Sequence, residues 1–171
     1  MMIKLSRAGL LGFLFFFIGC QPRLSVAECE LTNKALESMP MVEVSFYRAD
    51  QSSFSIKARL ANDVYTRAAG FQRVCAETIA ETPILFLFDR VQRPSFHMNN
   101  VVAPIDIAFI KESGEIDVIR NMKPYSVVLK SKRYYSSTKP VIAALEVRKG
   151  FYVDNKLQAQ DRIEWNIDLL E

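Results

Sequence analysis

Residues 84–110, ILFLFDRVQRPSFHMNNVVAPIDIAFI, decide the fold of this chain. Two apolar runs, residues 84–88 and 105–110, enclose a centre of polar and sulfur-containing side chains. Short continuous apolar runs that are rich in β-branched and aromatic residues are typical of strands buried on both faces. Between them, residues 94–100 are expected to be extended, and residues 101–104 to reverse the chain. We therefore expect this stretch to build both the core and the functional site.

Asp106 is the polar exception in the second apolar run. A buried carboxylate is unfavourable unless hydrogen bonds or a partner charge stabilise it. Two roles that can coexist account for it: the carboxylate accepts the backbone N–H groups of residues 99–100, or it contributes to a ligand site. The alternation of an extended chain puts every second residue of 96–100 on one face. The predicted ligand-binding residues are Phe96, Met98, Asn100 and Asp106, a mixture of aromatic, donor and acceptor groups that suits a polyol or sugar-like ligand.

The same residues carry a family resemblance. Ser95-Phe96-x-Met98-x-Asn100 followed by Pro104-Ile105-Asp106-Ile107-Ala108-Phe109 resembles the central motif of domain-of-unknown-function family 192 (DUF192). Arg67-Ala68-Ala69-Gly70-Phe71 is similar to the family's Arg-x-x-Gly-Leu pattern, and the resemblance extends from about Ile56 to Trp165. It implies a mostly β (α+β) fold, namely a small closed or partly open β-barrel with one or two short helices. It implies no activity.

Local patterns predict the remaining elements. Alternation over residues 42–46 and 54–60 around a turn predicts a hairpin, and Lys111 to Gly114 is a turn signal for a second hairpin between 105–110 and 116–119. Asn62 or Asp63 is expected to cap a helix that ends near Gly70, with Val64, Ala68 and Phe71 on its apolar face. Four further elements are expected: a brief strand at 127–129, a polar loop at 130–139, a strand at 141–147 and a short helix within 151–157. The family turn before Asp161 usually begins with glycine, so Gln160 is expected to adopt a strained positive φ if that turn is kept.

The first 27 residues are interpreted as a signal peptide. Lys4 and Arg7 form a charged leading region, and residues 8–19 form an apolar segment too short to span a bilayer with ease. Ser25-Val26-Ala27 is a small-x-small cleavage site, which leaves a single domain at residues 28–171 in the periplasm or secreted medium. The alternative is a lipobox at 17–20, with lipidation at Cys20 and anchoring to a membrane.

The net charge bears on which partners the protein can bind, and the cysteines bear on whether it contains a disulfide. The chain has 22 Lys and Arg against 19 Asp and Glu, but three of the bases and no acid lie within residues 1–27, so the mature chain is neutral at 19 against 19. A neutral domain lacks the broad positive field that non-specific nucleic-acid binding requires, so nucleic acid is not expected as a partner. Cys29 and Cys75 remain after either processing route. In an oxidising compartment they are expected to form a disulfide.

These observations predict an exported cell-envelope binding or interaction module without metal or cofactor. An alternative is an envelope hydrolase or lyase that uses Asp106 and His97 as acid and base groups. His97 is the only histidine, so a His-rich zinc site is excluded. A Cu(I) site at Met98, Met122 and His97 is not favoured, since methionines in β-domains are usually core residues. A third interpretation is a structural envelope protein without a small-molecule site.

Overall fold

The computed structural model describes residues 29–125 and 133–167, which form a mostly β domain with four short helices. The helices are α1 (Lys34–Ser38), α2 (Val64–Ala69), α3 (Ala76–Glu81) and α4 (Phe151–Asp154). The strands are β1 (Met41–Tyr47), β2 (Ser53–Ala61), β3 (Ile84–Gln92), β4 (Ser95–His97), β5 (Ile105–Ile110), β6 (Ile116–Met122), β7 (Tyr134–Ser136), β8 (Val141–Arg148) and β9 (Arg162–Asn166). The mostly β class is confirmed, with four helices in the described part where one or two were expected.

Seven strands form one curved sheet in the order β6-β5-β8-β3-β2-β1-β9, and β4 pairs with β7 in a separate ribbon. Neighbouring strands of the large sheet are antiparallel except β2 and β3, which are parallel and are joined by the crossover that contains α2 and α3. The two edge strands approach each other at one end, where the amide of Ile116 donates to Asp161 O at 2.8 Å and that of Ile163 to Gly114 O at 2.8 Å. The sheet is therefore a partly open barrel, within the predicted range.

The two faces of the sheet support two separate hydrophobic clusters. The inner cluster fills the barrel and draws on β1, β2, β3, β5, β6, β8 and β9, with Phe46, Leu60 and Leu145 among its members. The outer cluster lies between the other face of β3, β5 and β8 and the covering segments, and it includes Phe71, Phe86 and Met98. β5 is buried at every position because it contributes to both clusters. This two-sided burial explains its continuous apolar sequence.

Both predicted hairpins are confirmed. β1 pairs with β2 from Met41 opposite Arg59 to Tyr47 opposite Ser53, and β5 pairs with β6 across the turn at Gly114, which has φ +82°. The first apolar run is a strand as expected, although it continues to Gln92. Residues 127–129 lie outside the described residues. The predicted polar loop at 130–139 is wrong in part, because Tyr134–Ser136 forms β7 against β4.

Two turns show how local chemistry sets the backbone. Asp63 caps α2 by accepting hydrogen bonds from the amides of Tyr65 and Thr66, and the helix ends at Gly70 with φ +46°, both as predicted. The predicted apolar face of this helix is wrong at Val64, which is 77% exposed, and at Ala68, which is also exposed, whereas Phe71 is buried as expected. Gln160 has φ +80°, the strained conformation that was expected where the family has glycine.

The Cys29–Cys75 disulfide is present and ties the start of the described chain to the residue that precedes α3. Glu30 continues this attachment by forming an isolated bridge with Val74. The tether holds the α1 segment, with Leu36 and Met39, against the outer cluster. The prediction of this disulfide is confirmed, whereas the signal peptide and Cys20 lie outside the described residues.

Candidate functional site

A pocket of about 350 Å³ opens on the outer face of the sheet, between the end of α2, the strands β3 and β8, and β4. Much of its wall is aromatic, because Phe71, Phe86, Phe88 and Phe96 all line it. Phe96 contacts two of these rings: its centroid lies 5.0 Å from that of Phe86 in an edge-to-face contact and 6.5 Å from that of Phe88. Offset and edge-to-face contacts are the favourable geometries for phenyl rings, so the wall is pre-formed.

Glu146 lines the same pocket from β8 and is the most unusual residue in it. The residue is only 4% exposed, and no described residue donates a hydrogen bond to its carboxylate or forms an ion pair with it. Burial raises the pKa of Glu146 to about 8, because desolvation penalises the charged form. The carboxyl group is thus mostly protonated at neutral pH, and its oxygens have no partner among the described residues.

Gly70 brings α2 close to this carboxyl group. A Cβ atom added at Gly70 would lie 3.5 Å from the ring of Phe86 and 4.0 Å from Oε2 of Glu146. These are ordinary contact distances, so a side chain here would occupy part of the space beside the acid. The φ of +46° also favours glycine. The helix end therefore contributes open volume as well as a turn.

Polar groups form another part of the pocket wall, and some of them already make hydrogen bonds or ion pairs. Arg67 donates to Leu87 O at 2.8 Å and to Asn62 O at 2.8 Å, and it forms an ion pair with Asp89 at 3.2 Å. His97 accepts a long hydrogen bond at Nδ1 from the amide of Asn99, at 3.4 Å, which places the proton of the neutral ring on Nε2. Arg67 thus links α2 to β3. The Nε2–H group of His97 is available as a hydrogen-bond donor.

Asp106 lies on the other side of the sheet. In β5 its neighbours Ile105 and Ile107 belong to the outer cluster, so the alternation of the strand directs Asp106 toward the barrel interior. Its Oδ1 accepts from Nδ2 of Asn121 at 2.7 Å and its Oδ2 from the amide of Gly150 at 2.7 Å. The expected donors at residues 99–100 are therefore wrong. Asp106 fastens β6 and the turn before α4 to the centre of the sheet.

The four predicted ligand-binding residues are not brought together. Phe96 lines the pocket, and Met98 is packed in the outer cluster with 1% exposure. Asn100 adopts φ +54° and donates to Oε1 of Gln72 at 3.3 Å, beside the pocket. Asp106 belongs to the opposite face of the sheet. The prediction of one site at the barrel mouth formed by all four residues is therefore wrong. Of the four, only Phe96 lines the pocket on the outer face.

The structure does not form the alternative acid–base pair or a metal site in the described residues either. His97 lines the pocket while Asp106 is bonded to Gly150 on the other face, so these two residues do not form an acid–base pair. Met98 and Met122 are both buried members of the outer cluster. Residues 29–125 and 133–167 hold no group of three or more His, Cys, Asp or Glu side chains arranged for a metal ion.

Sequence reasoning missed Glu146. It stands in VIAALEVRK, residues 141–149, as the one acid in an apolar strand, which is the pattern that singled out Asp106. The signal was therefore present, and applying the buried-carboxylate argument to every predicted strand finds it. What that pattern does not reveal is that the acid faces a pocket.

These features define a small, partly open β-barrel domain with a ligand-sized pocket on the outer face of its sheet. The model of the DUF192 family, described as "Uncharacterized ACR", matches residues 46–165, and the chain belongs to this family. The resemblance that the sequence motifs carry is thus confirmed.

Two solved structures are similar to the chain. A putative transcription regulator from Sinorhizobium meliloti 1021 has 26% sequence identity and a TM-score of 0.65, over 75% of this chain and 95% of the other. A protein of unknown function from Novosphingobium aromaticivorans DSM 12444 has 22% sequence identity and a TM-score of 0.67, over 85% of this chain and 100% of the other. No curated protein matches the chain. In the described residues, none of the helices has the length and apolar character needed to cross a bilayer.

Proposed function

We propose that the protein is an exported binding module of the cell envelope that holds a small ligand in the pocket beside Glu146. The observation that carries this proposal is Glu146, a residue that is 4% exposed, lines a cavity of about 350 Å³ and has no hydrogen-bond or ion-pair partner for its carboxyl group among the described residues. A buried polar group without a partner is unfavourable, so one in a folded protein calls for an explanation, of which a functional role is one. A cavity of this size suits a small molecule.

Export is supported by two independent features. The charged leading region, the short apolar segment and the small-x-small site at 25–27 have the order of a signal peptide. The Cys29–Cys75 disulfide begins two residues after that site, and disulfides persist mainly in oxidising compartments.

An intact mass of the mature protein, expressed from the full chain in a Gram-negative host and recovered from the periplasm, tests the export step. The expected mass corresponds to a chain that starts at Glu28 and carries one disulfide. A mass that starts at Cys20 with an added diacylglyceryl group would instead make the protein a membrane-anchored lipoprotein.

The neutral fluorescent probe N-phenyl-1-naphthylamine tests whether the pocket admits a ligand. We expect saturable binding at one site in the wild-type protein. Ala68→Trp introduces a bulky side chain at an exposed position that lines the pocket and should weaken probe binding at least tenfold. Ala76→Trp, the same change at an exposed position of α3 that does not line this pocket, is the matched control.

Each outcome of this titration decides the proposal. Binding that Ala68→Trp weakens and Ala76→Trp leaves unchanged supports a ligand site in the pocket. If the probe does not bind, or if both variants bind it equally well, the binding role fails and the structural alternative without a small-molecule site is favoured. The hydrolase or lyase alternative has less support, because its two residues lie on different faces of the sheet.

A further inference from the structure

We infer that the ligand of this pocket is a small organic cation, whose ammonium group pairs with the carboxylate of Glu146 while its carbon skeleton contacts the surrounding phenylalanine rings. The inference rests on the proposed ligand site and names the chemical class that the site selects. It replaces the sugar-like ligand that the sequence suggested, since that suggestion depended on Asp106 and Asn100 facing Phe96.

The first support is the missing partner of Glu146. A carboxylate can only accept hydrogen bonds, and a buried one is stabilised by an opposite charge or by N–H and O–H donors. No described residue provides either for Glu146. An ammonium group supplies positive charge and, if it is not quaternary, N–H donors as well. A cationic ligand therefore supplies the positive charge that no described residue provides for Glu146.

The second support is the aromatic wall. Cations are attracted to the faces of aromatic rings, and the attraction grows when the site excludes water. Phe71, Phe86, Phe88 and Phe96 line the pocket and carry no group that competes for hydrogen bonds. A neutral sugar carries no charge that could pair with the carboxylate, and each of its hydroxyl groups that faces a phenyl ring loses a hydrogen bond to water. The lining thus favours a cation with a compact apolar skeleton.

The other charged and titratable groups around Glu146 do not already neutralise it. From α2, Arg67 lines the pocket, but its guanidinium is bound to Asp89 and to two carbonyl oxygens. From β4, His97 lines the pocket and accepts from the amide of Asn99. From the barrel interior, Tyr152 interacts electrostatically with Glu146. A ligand ammonium is accordingly the charge that reaches the free carboxyl group.

The inference makes the pH dependence of binding diagnostic. Burial keeps Glu146 protonated up to a pKa of about 8, so a cation that pairs with the carboxylate must expel one proton in neutral solution. Affinity for a cation should then rise by nearly tenfold per pH unit below pH 8 and level off above it. A neutral ligand that accepts a hydrogen bond from the protonated acid would show the opposite trend. The sign of the slope separates the two chemistries.

Calorimetric titration of the oxidised mature protein with two matched pairs of probes tests the inference. Each pair joins a cation to a neutral analogue of similar shape: choline with 3,3-dimethylbutan-1-ol, and n-butylamine with butan-1-ol. In the wild type at pH 8.5, at least one cation should bind ten or more times more tightly than its neutral analogue. The affinity for that cation should rise at least tenfold between pH 6.5 and pH 8.5.

Two variants locate the effect. Glu146→Gln keeps the shape of the protonated side chain but removes its charge, so it should abolish the preference for the cation and the rise with pH. Glu77→Gln, the same change at an exposed position of α3 that does not line this pocket, should preserve both.

The possible results also separate this inference from the proposed function. If N-phenyl-1-naphthylamine binds in the pocket but the neutral analogues bind as tightly as the cations, the cation inference is wrong and the binding site stands. A cation preference that survives in Glu146→Gln also overturns it, as does failure of all four small probes to bind. If the fluorescent probe fails as well, the proposed function falls with it.

Discussion

Asp106 and Glu146 occupy nearly equivalent places in the sheet and have very different surroundings. They lie on the paired strands β5 and β8, where Asp106 is opposite Val147 and Glu146 is opposite Ile107, one position along the register. Both are almost fully buried, with 5% and 4% exposure. Asp106 faces the barrel interior and both of its oxygens accept hydrogen bonds, whereas Glu146 faces the pocket and accepts none from a described residue.

The difference teaches that the burial of a carboxyl group does not by itself indicate its role. On the inner face the fold provides donors for each oxygen, so Asp106 contributes to stability by joining β6 and the turn at Gly150 to β5. On the outer face Glu146 lines a pocket without a donor for its carboxyl group among the described residues, and burial raises its pKa. Four predictions examine this contrast.

The largest expected effect is the pH dependence that Glu146 gives to stability. The folded state raises the pKa of Glu146 from 4.5 to about 8, so the folded protein binds more protons than the unfolded chain between these values. Stability should therefore be highest below pH 4.5 as far as this group is concerned, and it should fall as pH rises toward 8. The slope approaches about 1.4 kcal/mol per pH unit for one proton.

Urea unfolding of wild type and Glu146→Gln at pH 5.5 and pH 8.5 measures this effect. The wild type should lose a few kcal/mol more than the variant between the two pH values, and the variant should be the more stable protein at pH 8.5. If the free energy of unfolding changes with pH in the same way in both proteins, Glu146 has a partner in solution. The two acids would then not differ in the way that the structure indicates.

The second prediction concerns the tether of the outer layer. Removing the Cys29–Cys75 disulfide, which closes a sequence separation of 46 residues, should lower the free energy of unfolding by about 3 to 4 kcal/mol in the chain-entropy model. The double variant Cys29→Ala/Cys75→Ala compared with the oxidised wild type in urea measures this loss. A loss well below about 1 kcal/mol would mean that the segment before α1 adds little to the cover of the outer cluster.

The third prediction concerns the inner acid. Asp106→Asn replaces an acceptor by an NH₂ group opposite Asn121 and weakens a charge-assisted hydrogen bond to Gly150, so stability should fall by about 1 to 3 kcal/mol. Thermal and urea unfolding at pH 8.5 measures it, with Glu146→Gln as the matched amide substitution that should not destabilise. Equal losses in the two variants would contradict the different roles of the two acids.

The smallest expected effect is that of alanine substitution at two glycines, one beside Glu146 on the outer face of the sheet and one beside Asp106 on the inner face. Gly70 has φ +46° beside Glu146, and Gly150 has φ +86° where it donates to Asp106. Alanine at either position should lower stability by about 1 kcal/mol through backbone strain. Only Gly70→Ala should also weaken binding of N-phenyl-1-naphthylamine, because its added methyl group enters the pocket. A similar effect of Gly150→Ala on the probe would place the site elsewhere.

The sequence predicted most of the sheet because apolar runs and turn signals are local. The strands at 84–88 and 105–110 and the cap at Asp63 depend on neighbouring residues and were found. The positive φ of Gln160 was expected from the family resemblance, which places glycine at that position. β7 was missed, since its three residues lie in a polar segment and become a strand only by pairing with β4.

The site was harder to predict because it depends on long-range register. The donor to Asp106 at Gly150 lies 44 residues away, and β5 must pair with β8 to bring them together. The alternation that placed Met98 with Phe96 was correct, but it did not distinguish a core position from a pocket position. Phe96 was identified for its aromatic face, and Glu146 was overlooked inside an apolar strand.

The position of β9 beside β1 has a consequence for how the chain acquires its structure during synthesis. Val44 lies opposite Trp165 and Phe46 opposite Ile163, so the first strand lacks a neighbour on that side until the last strand has left the ribosome. The sheet is then completed by contacts of large sequence separation, which form slowly because the intervening chain must be ordered first. Until β9 has been synthesised, the nascent chain therefore cannot complete its sheet.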